Sequence, residues 1–266
     1  MIICISALTS CGQTTTSAVK PPTPAPAMHD SSQSANGMKL LMAAYPEWIA
    51  GIGKNEIVFN DKSTLPYDDG KRNKSWDDLL NKPSLRDQFY FGYKRGTPLH
   101  PPAKNEDPGR IRNEAFFKKM YGNTEEEVKK NLVEIAWLPN TANQKVRITK
   151  INKVNEKLIA VSNELDKHPA LTKYLKNIGG TFKWRYIKGT KRLSEHSFGI
   201  AIDINTSFSN YWMWDCKCSN EQDSLHYSNR IPLEIVNAFE KQGFIWGGKW
   251  YHYDTMHFEY RPELLR

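Results

Sequence analysis

The chain has 266 residues, 39% of them hydrophobic and 12% aromatic, with a mean hydropathy of -0.63. It suits one or two folded units, and with no apolar run long enough to span a bilayer it excludes both an integral membrane protein and a wholly disordered chain. Thirty-seven Lys and Arg against 29 Asp and Glu leave a net charge of +8, which favours contact with polyanions such as an acidic wall polymer. The basic residues are scattered as on a solvated surface, and no groove-reading motif accompanies them, so no nucleic-acid partner is expected.

In chain order, Met1 to Leu8 is apolar, and Leu8-Thr9-Ser10-Cys11 resembles a bacterial lipobox, whose cysteine carries lipid after cleavage. No Lys or Arg precedes Cys11, although a signal peptide begins with a basic stretch, so residues 1–11 read as a truncated signal segment. Residues 12–37, with Thr14-Thr15-Thr16 and Pro21-Pro22-Thr23-Pro24, lack the apolar side chains that would offset ordering and read as a disordered spacer. Together they predict a periplasmic or cell-surface protein whose only membrane attachment is a lipid at Cys11. Cys216 and Cys218 are then the only cysteines left for the folded part, and the pair is given no role.

Residues 38–150 read as a mainly helical N-terminal extension packed on the unit formed by residues 151–266. Asp107 before Pro108 predicts a capped helix running through Phe116, Phe117 and Met120 to Gly122. Thr124 with Glu127 makes a capping box for a second helix through Val128 and Leu132. Val154, Leu158, Val161 and Leu165 share one helical face, and Pro169 opens a further helix through Leu171, Tyr174 and Ile178 to Gly179-Gly180. Pro232 to Gln242 repeats that grammar, with Leu233, Val236 and Phe239 on one side and Gly243 as the stop.

Elsewhere the period is two. In Gly199-Ile200-Ala201-Ile202-Asp203-Ile204-Asn205 the isoleucines face one way and the small or polar residues the other. Phe244 to Trp246 and Thr255 to Tyr260 are also strand-like, so the predicted class is α+β, a small antiparallel sheet flanked by helices.

The chemistry concentrates at both ends of that sheet. His196 precedes the small-faced strand and Asp203 lies on it, which offers two metal ligands where a catalytic site with an open water position needs three. Tyr253-Asp254-Thr255-Met256-His257 supplies a third, provided the chain bends between Asp254 and His257, which would otherwise face opposite ways. The order Ser-x-His-x-x-Gly-x-Ala-x-Asp, then Asp-x-x-His, resembles the zinc D-alanyl-D-alanine carboxypeptidase and L-alanyl-D-glutamate endopeptidase family, which cuts peptidoglycan peptides and shares its fold with hedgehog signalling domains. The resemblance covers roughly residues 180–264 and implies the same small antiparallel sheet.

It further implies that His196, Asp203 and His257 hold Zn2+ and that Asp254 is the catalytic carboxylate. An arginine upstream of the histidine motif would face the developing oxyanion: Arg185 is the candidate and Arg192 its rival. Ser194 either bonds substrate or caps its turn. Of Trp212, Trp214, Trp246 and Trp250, all near the motifs, Trp250 is the candidate groove wall, with burial the competing reading. His226 and His252 are left structural or substrate-adjacent. The expected protein is a monomeric zinc metallopeptidase acting on peptidoglycan stem peptides, with the bond it cuts set by pocket shape; the rival is a zinc-bearing cell-wall binding module without turnover.

Overall fold

The computed structural model describes residues 31–96, 101–218, 220–221 and 223–265. Cys11, the signal segment and the spacer up to residue 30 lie outside the described residues. The spacer expected to run through Gly37 ends sooner, because helix α1 (Ser31–Ala44) already buries Gly37, Met38 and Leu41. Tyr45 follows, fully buried, and its hydroxyl donates to Glu263 Oε2 at 2.7 Å.

Three short strands, β1 (Ile49–Ile52), β2 (Glu56–Phe59) and β3 (Thr64–Pro66), form an antiparallel meander after α1. Helix α2 (Trp76–Asn81) starts at Ser75, whose hydroxyl accepts from the Asp78 amide. Helices α3 (Glu114–Tyr121) and α4 (Glu125–Lys129) come next, capped by Asn113 and Thr124. The second ends before Leu132, which instead opens strand β4 (Leu132–Trp137), paired with β5 (Gln144–Thr149). Among its described residues the extension thus holds five strands beside the expected helices. They are too short, or too interrupted by half-buried positions, for a two-residue period to stand out.

Asp107 does not cap α3. Its carboxylate is spent on one distant and one local partner: Oδ1 accepts from the His252 amide at 2.9 Å, while Oδ2 faces His252 Nδ1 at 2.6 Å and Arg110 at 2.7 Å. Burial works against its charge, yet Arg110 and His252 outweigh burial and hold the carboxyl below the ordinary range. A carboxyl depressed on folding stabilises above its unfolded pKa, about 3.9, and loses that contribution as pH falls through the folded value. Asp107→Asn is therefore expected to lower stability near neutrality by about 3–5 kcal/mol, because it leaves Arg110 and His252 without their buried partner. The gap to wild type should close below about pH 4 in denaturant melts recorded across pH; equal stabilities at pH 7 would refute the assignment.

Helix α5 (Val154–Leu165) buries all four residues of its predicted face. Helix α6 (Thr172–Leu175) stops early, since Lys176 turns extended (φ -79°, ψ 161°) and Ile178 starts strand β6 (Ile178–Gly180) rather than a further helical turn. Strand β7 (Ala201–Asn205), helix α7 (Trp212–Cys216), helix α8 (Leu233–Lys241), and strands β8 (Phe244–Trp246) and β9 (His257–Tyr260) complete the order. A disulfide joins Cys216 to Cys218 at the end of α7.

The sheet runs β6-β7-β9-β8, antiparallel throughout. One face is core: Ile202, Ile204 and Phe258 are fully buried, and Phe239 of α8 stacks on Phe258 with ring centroids 3.9 Å apart. The other carries the polar residues. The protein is α+β, with small antiparallel sheets flanked by helices, and among the described residues no helix is long and apolar enough to cross a membrane.

Candidate metal centre

Register builds the site. Asp203 of β7 lies directly opposite His257 of β9, and Ala201 opposite Glu259, so all four share the polar face. The small Ala201 leaves room for the Glu259 carboxylate. His196 arrives from a 3-10 turn (Glu195–Phe198) closed by Gly199 at φ +66°. A side chain at Gly199 would meet Leu132 Cδ2 at 2.6 Å as well as an unfavourable backbone, so glycine is required for the turn to enter β7.

His196, Asp203 and His257 each present one ligand atom, all within 4.8 Å of one another. Asp203 Oδ1 stands 3.1 Å from His196 Nε2 and 3.0 Å from His257 Nδ1. Each imidazole has its other nitrogen engaged: His196 Nδ1–H donates to the Thr181 carbonyl, and His257 Nε2–H to Glu259 at 2.8 Å. His196 Nε2 is buried and makes no hydrogen bond among the described residues. One oriented nitrogen per ring plus a carboxylate is the donor set of a three-ligand metal site, with the outer partners fixing each tautomer.

The bend between Asp254 and His257 is present as a turn in which the His257 amide donates to the Asp254 carbonyl at 3.2 Å. Gly247 allows it: the Asp254 amide bonds the Gly247 carbonyl at 3.0 Å, and a Cβ on Gly247 would stand 2.5 Å from the Asp254 carbonyl oxygen. Asp254 Oδ1 is buried without a hydrogen bond among the described residues. Burial, then the Asp203 charge, push this carboxyl up to about 7. Asp203 moves the opposite way, because His196 and His257 outweigh its burial and hold it far below the ordinary range.

Arg185 is exposed, and its charge reaches Asp254 and Tyr211, whose backbone pairs with Asp254. Arg192 instead faces Arg110, Arg112 and Glu221. Ser194 is buried at the start of the 3-10 turn but makes no side-chain capping bond. Trp250 is not a groove wall: it is 4% exposed, its Nε1 donates to the Pro108 carbonyl, and its ring lies between His257 and the Arg112 guanidinium. Trp212 and Trp246 are likewise buried, whereas Trp214 is 57% exposed. His252 is buried between Asp107 and the Glu221 carbonyl, and His226 is exposed.

Three residues behind the ligands escaped the sequence reading. Glu259, which orients His257, was within reach, since it sits two positions on along the same strand face. Arg112 bonds Glu259 and lies 3.0 Å from Glu195 Oε1; nothing near it in sequence marks it. Arg261 joins Glu259 at 3.0 Å to Glu263 at 2.6 Å, with its guanidinium over the Phe117 ring.

Residues 188–260 match the family model described as D-alanyl-D-alanine carboxypeptidase, which agrees with the resemblance carried by the two motifs. No curated protein and no solved structure matches the chain. The matched segment contains His196, Asp203, Asp254 and His257, and its family is one of peptidases.

Proposed function

We infer that this chain, which carries the segment of the D-alanyl-D-alanine carboxypeptidase family, is a zinc-dependent peptidase hydrolysing peptidoglycan stem peptides. The observation that carries the reading is the pairing of a buried, hydrogen-bond-free carboxylate oxygen on Asp254 with the His196, Asp203 and His257 cluster. Bound by those three side chains, zinc supplies a Lewis acid that brings water toward ionisation at neutral pH.

The chain's own residues do the rest. Asp254 Oδ1 accepts the proton of the attacking water, and the resulting carboxylic acid returns it to the leaving amine, so one group serves as base and then acid. Burial is the largest cause raising this carboxyl, and it favours the protonated form that the acid step needs. Arg185, whose charge reaches Asp254, would offer positive charge to the carbonyl oxygen as it becomes an oxyanion. Thr181 and Glu259 keep the two imidazoles from rotating, so His196 and His257 present the same nitrogens throughout. The disulfide between Cys216 and Cys218 supports a site of action outside the reducing cytoplasm, where the wall substrate lies.

Digestion of purified peptidoglycan with and without a zinc chelator, products identified by mass spectrometry, tests the reading. Released D-Ala would identify a carboxypeptidase, and stem peptides beginning at D-Glu an endopeptidase. Stoichiometric bound zinc with no cleavage of any wall preparation would overturn the peptidase reading in favour of a binding module.

A further inference from the structure

A cleft of about 1100 Å³ is bordered by Glu195 and Phe198 of the 3-10 turn that carries His196, while His196, Asp203, Asp254 and His257 do not line it. Trp76 of α2, Arg110 and Arg112 line it together with Arg192 and with Glu195, the sequence neighbour of His196. A space of this size accepts several residues of a peptide rather than a single side chain. Trp76, Arg110 and Arg112 all precede residues 188–260, so this side of the cleft lies outside the matched segment.

Its cations are unequally satisfied. Arg110 reaches Asp107 at 2.7 Å and Glu221 at 2.8 Å, and Arg112 is held between Glu195 and Glu259. Among the described residues the Arg192 guanidinium has one ion-pair contact, 3.7 Å to Glu221 through the same Oε1 that Arg110 occupies, and Asp77 acts on its charge from further off. Its Nε is buried and makes no hydrogen bond among the described residues. Desolvation and the nearby Arg110 and Arg112 charges push its guanidinium down to about 10, as befits a cation short of an anion.

We propose that Arg192 receives a carboxylate of the stem peptide, so that the cleft selects substrates bearing an acidic group in that position. The identity of the peptide rests on the peptidase reading above; the preference for an anion rests on the cleft. A guanidinium offers a planar fork that a carboxylate meets with two parallel hydrogen bonds, and an amide can neither match both nor neutralise the charge. In a lysine-containing stem peptide the free carboxylates are the α-carboxyl of γ-linked D-Glu and the C-terminal one.

Three synthetic pentapeptides separate these sources: L-Ala-γ-D-Glu-L-Lys-D-Ala-D-Ala unmodified, amidated at the D-Glu α-carboxyl, and amidated at the C-terminus. Binding is measured by calorimetry on the full chain carrying Asp254→Asn, and cleavage on the unmodified protein. One amidation is expected to weaken binding about tenfold or more, the scale of a lost charge-assisted hydrogen bond, and so to identify the carboxylate. With Arg192→Gln added, that ratio should fall toward one. Equal affinity for all three peptides, or the same ratio in Arg192→Gln, would overturn the proposal. Should Arg192→Gln not fold, Arg192→Lys replaces it: the lost fork should reduce the ratio, and an unchanged ratio again counts against the proposal. Zinc-dependent cleavage without discrimination leaves the peptidase standing and the cleft assignment wrong. Discrimination in binding without any cleavage has the opposite meaning.

Discussion

Asp254→Asn is expected to lower kcat by about 10²–10⁴-fold, the contribution of a positioned general base, while zinc content by atomic absorption stays at the wild-type level. Asparagine keeps the shape of the carboxyl but cannot accept the proton of an attacking water. Asp254 lies outside the three-ligand cluster, so its loss removes no ligand atom. The backbone bonds that hold the turn, from the Asp254 amide to Gly247 and from the His257 amide to Asp254, do not involve the substituted group. The two readouts must therefore separate. Activity and zinc falling together would make Asp254 a ligand or a structural element, and undiminished turnover would remove it from the mechanism altogether.

The second large effect concerns a residue that touches no substrate. Arg261→Met should cost about 3–5 kcal/mol, the usual consequence of withdrawing one member of a buried ionic group. Arg261 is fully buried between Glu259 and Glu263, and both carboxylates are buried with it. Methionine roughly restores the volume but, among the described residues, leaves Glu263 with the Tyr45 hydroxyl and Glu259 with Arg112 and His257. For a chain of this length the melting temperature should fall by roughly 10 °C. Glu259 also orients a ligand, so zinc affinity in a chelator competition should weaken by about 10–100-fold, the range seen when outer partners of a ligand are disturbed. Adding Glu263→Gln should recover part of the stability, because it removes the charge left stranded. A double variant no more stable than the single one would mean that packing over Phe117, and not charge, is what Arg261 provides.

The ligand cluster was legible because its information is local. His196 and Asp203 fall within one turn and one strand, Asp254 and His257 within a second turn, and the alternation of Ile200, Ile202 and Ile204 already puts Asp203 on the face away from the core. The helices of the second half were legible for a similar reason: the apolar period of α5 is long and uninterrupted. What failed was local grammar overruled from a distance. Asp107-Pro108 has the form of a helix start, but His252, 145 positions away, claims the carboxylate. Trp250 lies close to the motif in sequence, yet its indole is fixed by the Pro108 carbonyl 142 positions earlier, which takes its face out of reach of any peptide. Arg112 and Arg261 could not be singled out, because an arginine destined for burial looks like any surface arginine until its carboxylates are known. Strands β1 to β3 went unseen because three or four residues seldom establish a period, and the six-residue β4 and β5 because half-buried positions break their alternation.

The bond from Tyr45 to Glu263 spans 218 positions. It continues through Arg261 and Glu259 to His257, so an unbroken line of polar contacts runs from α1 to a ligand of the metal centre. During synthesis α1 leaves the ribosome long before the residues that complete this line, and its buried face must wait for them. Contacts of such long range form late because the intervening loop has to be closed first. A metal held by His196, Asp203 and His257 would then be taken up late in maturation, once His257 has been threaded beside Asp203, and a nascent chain stalled before β9 would hold just two of the three candidate ligands.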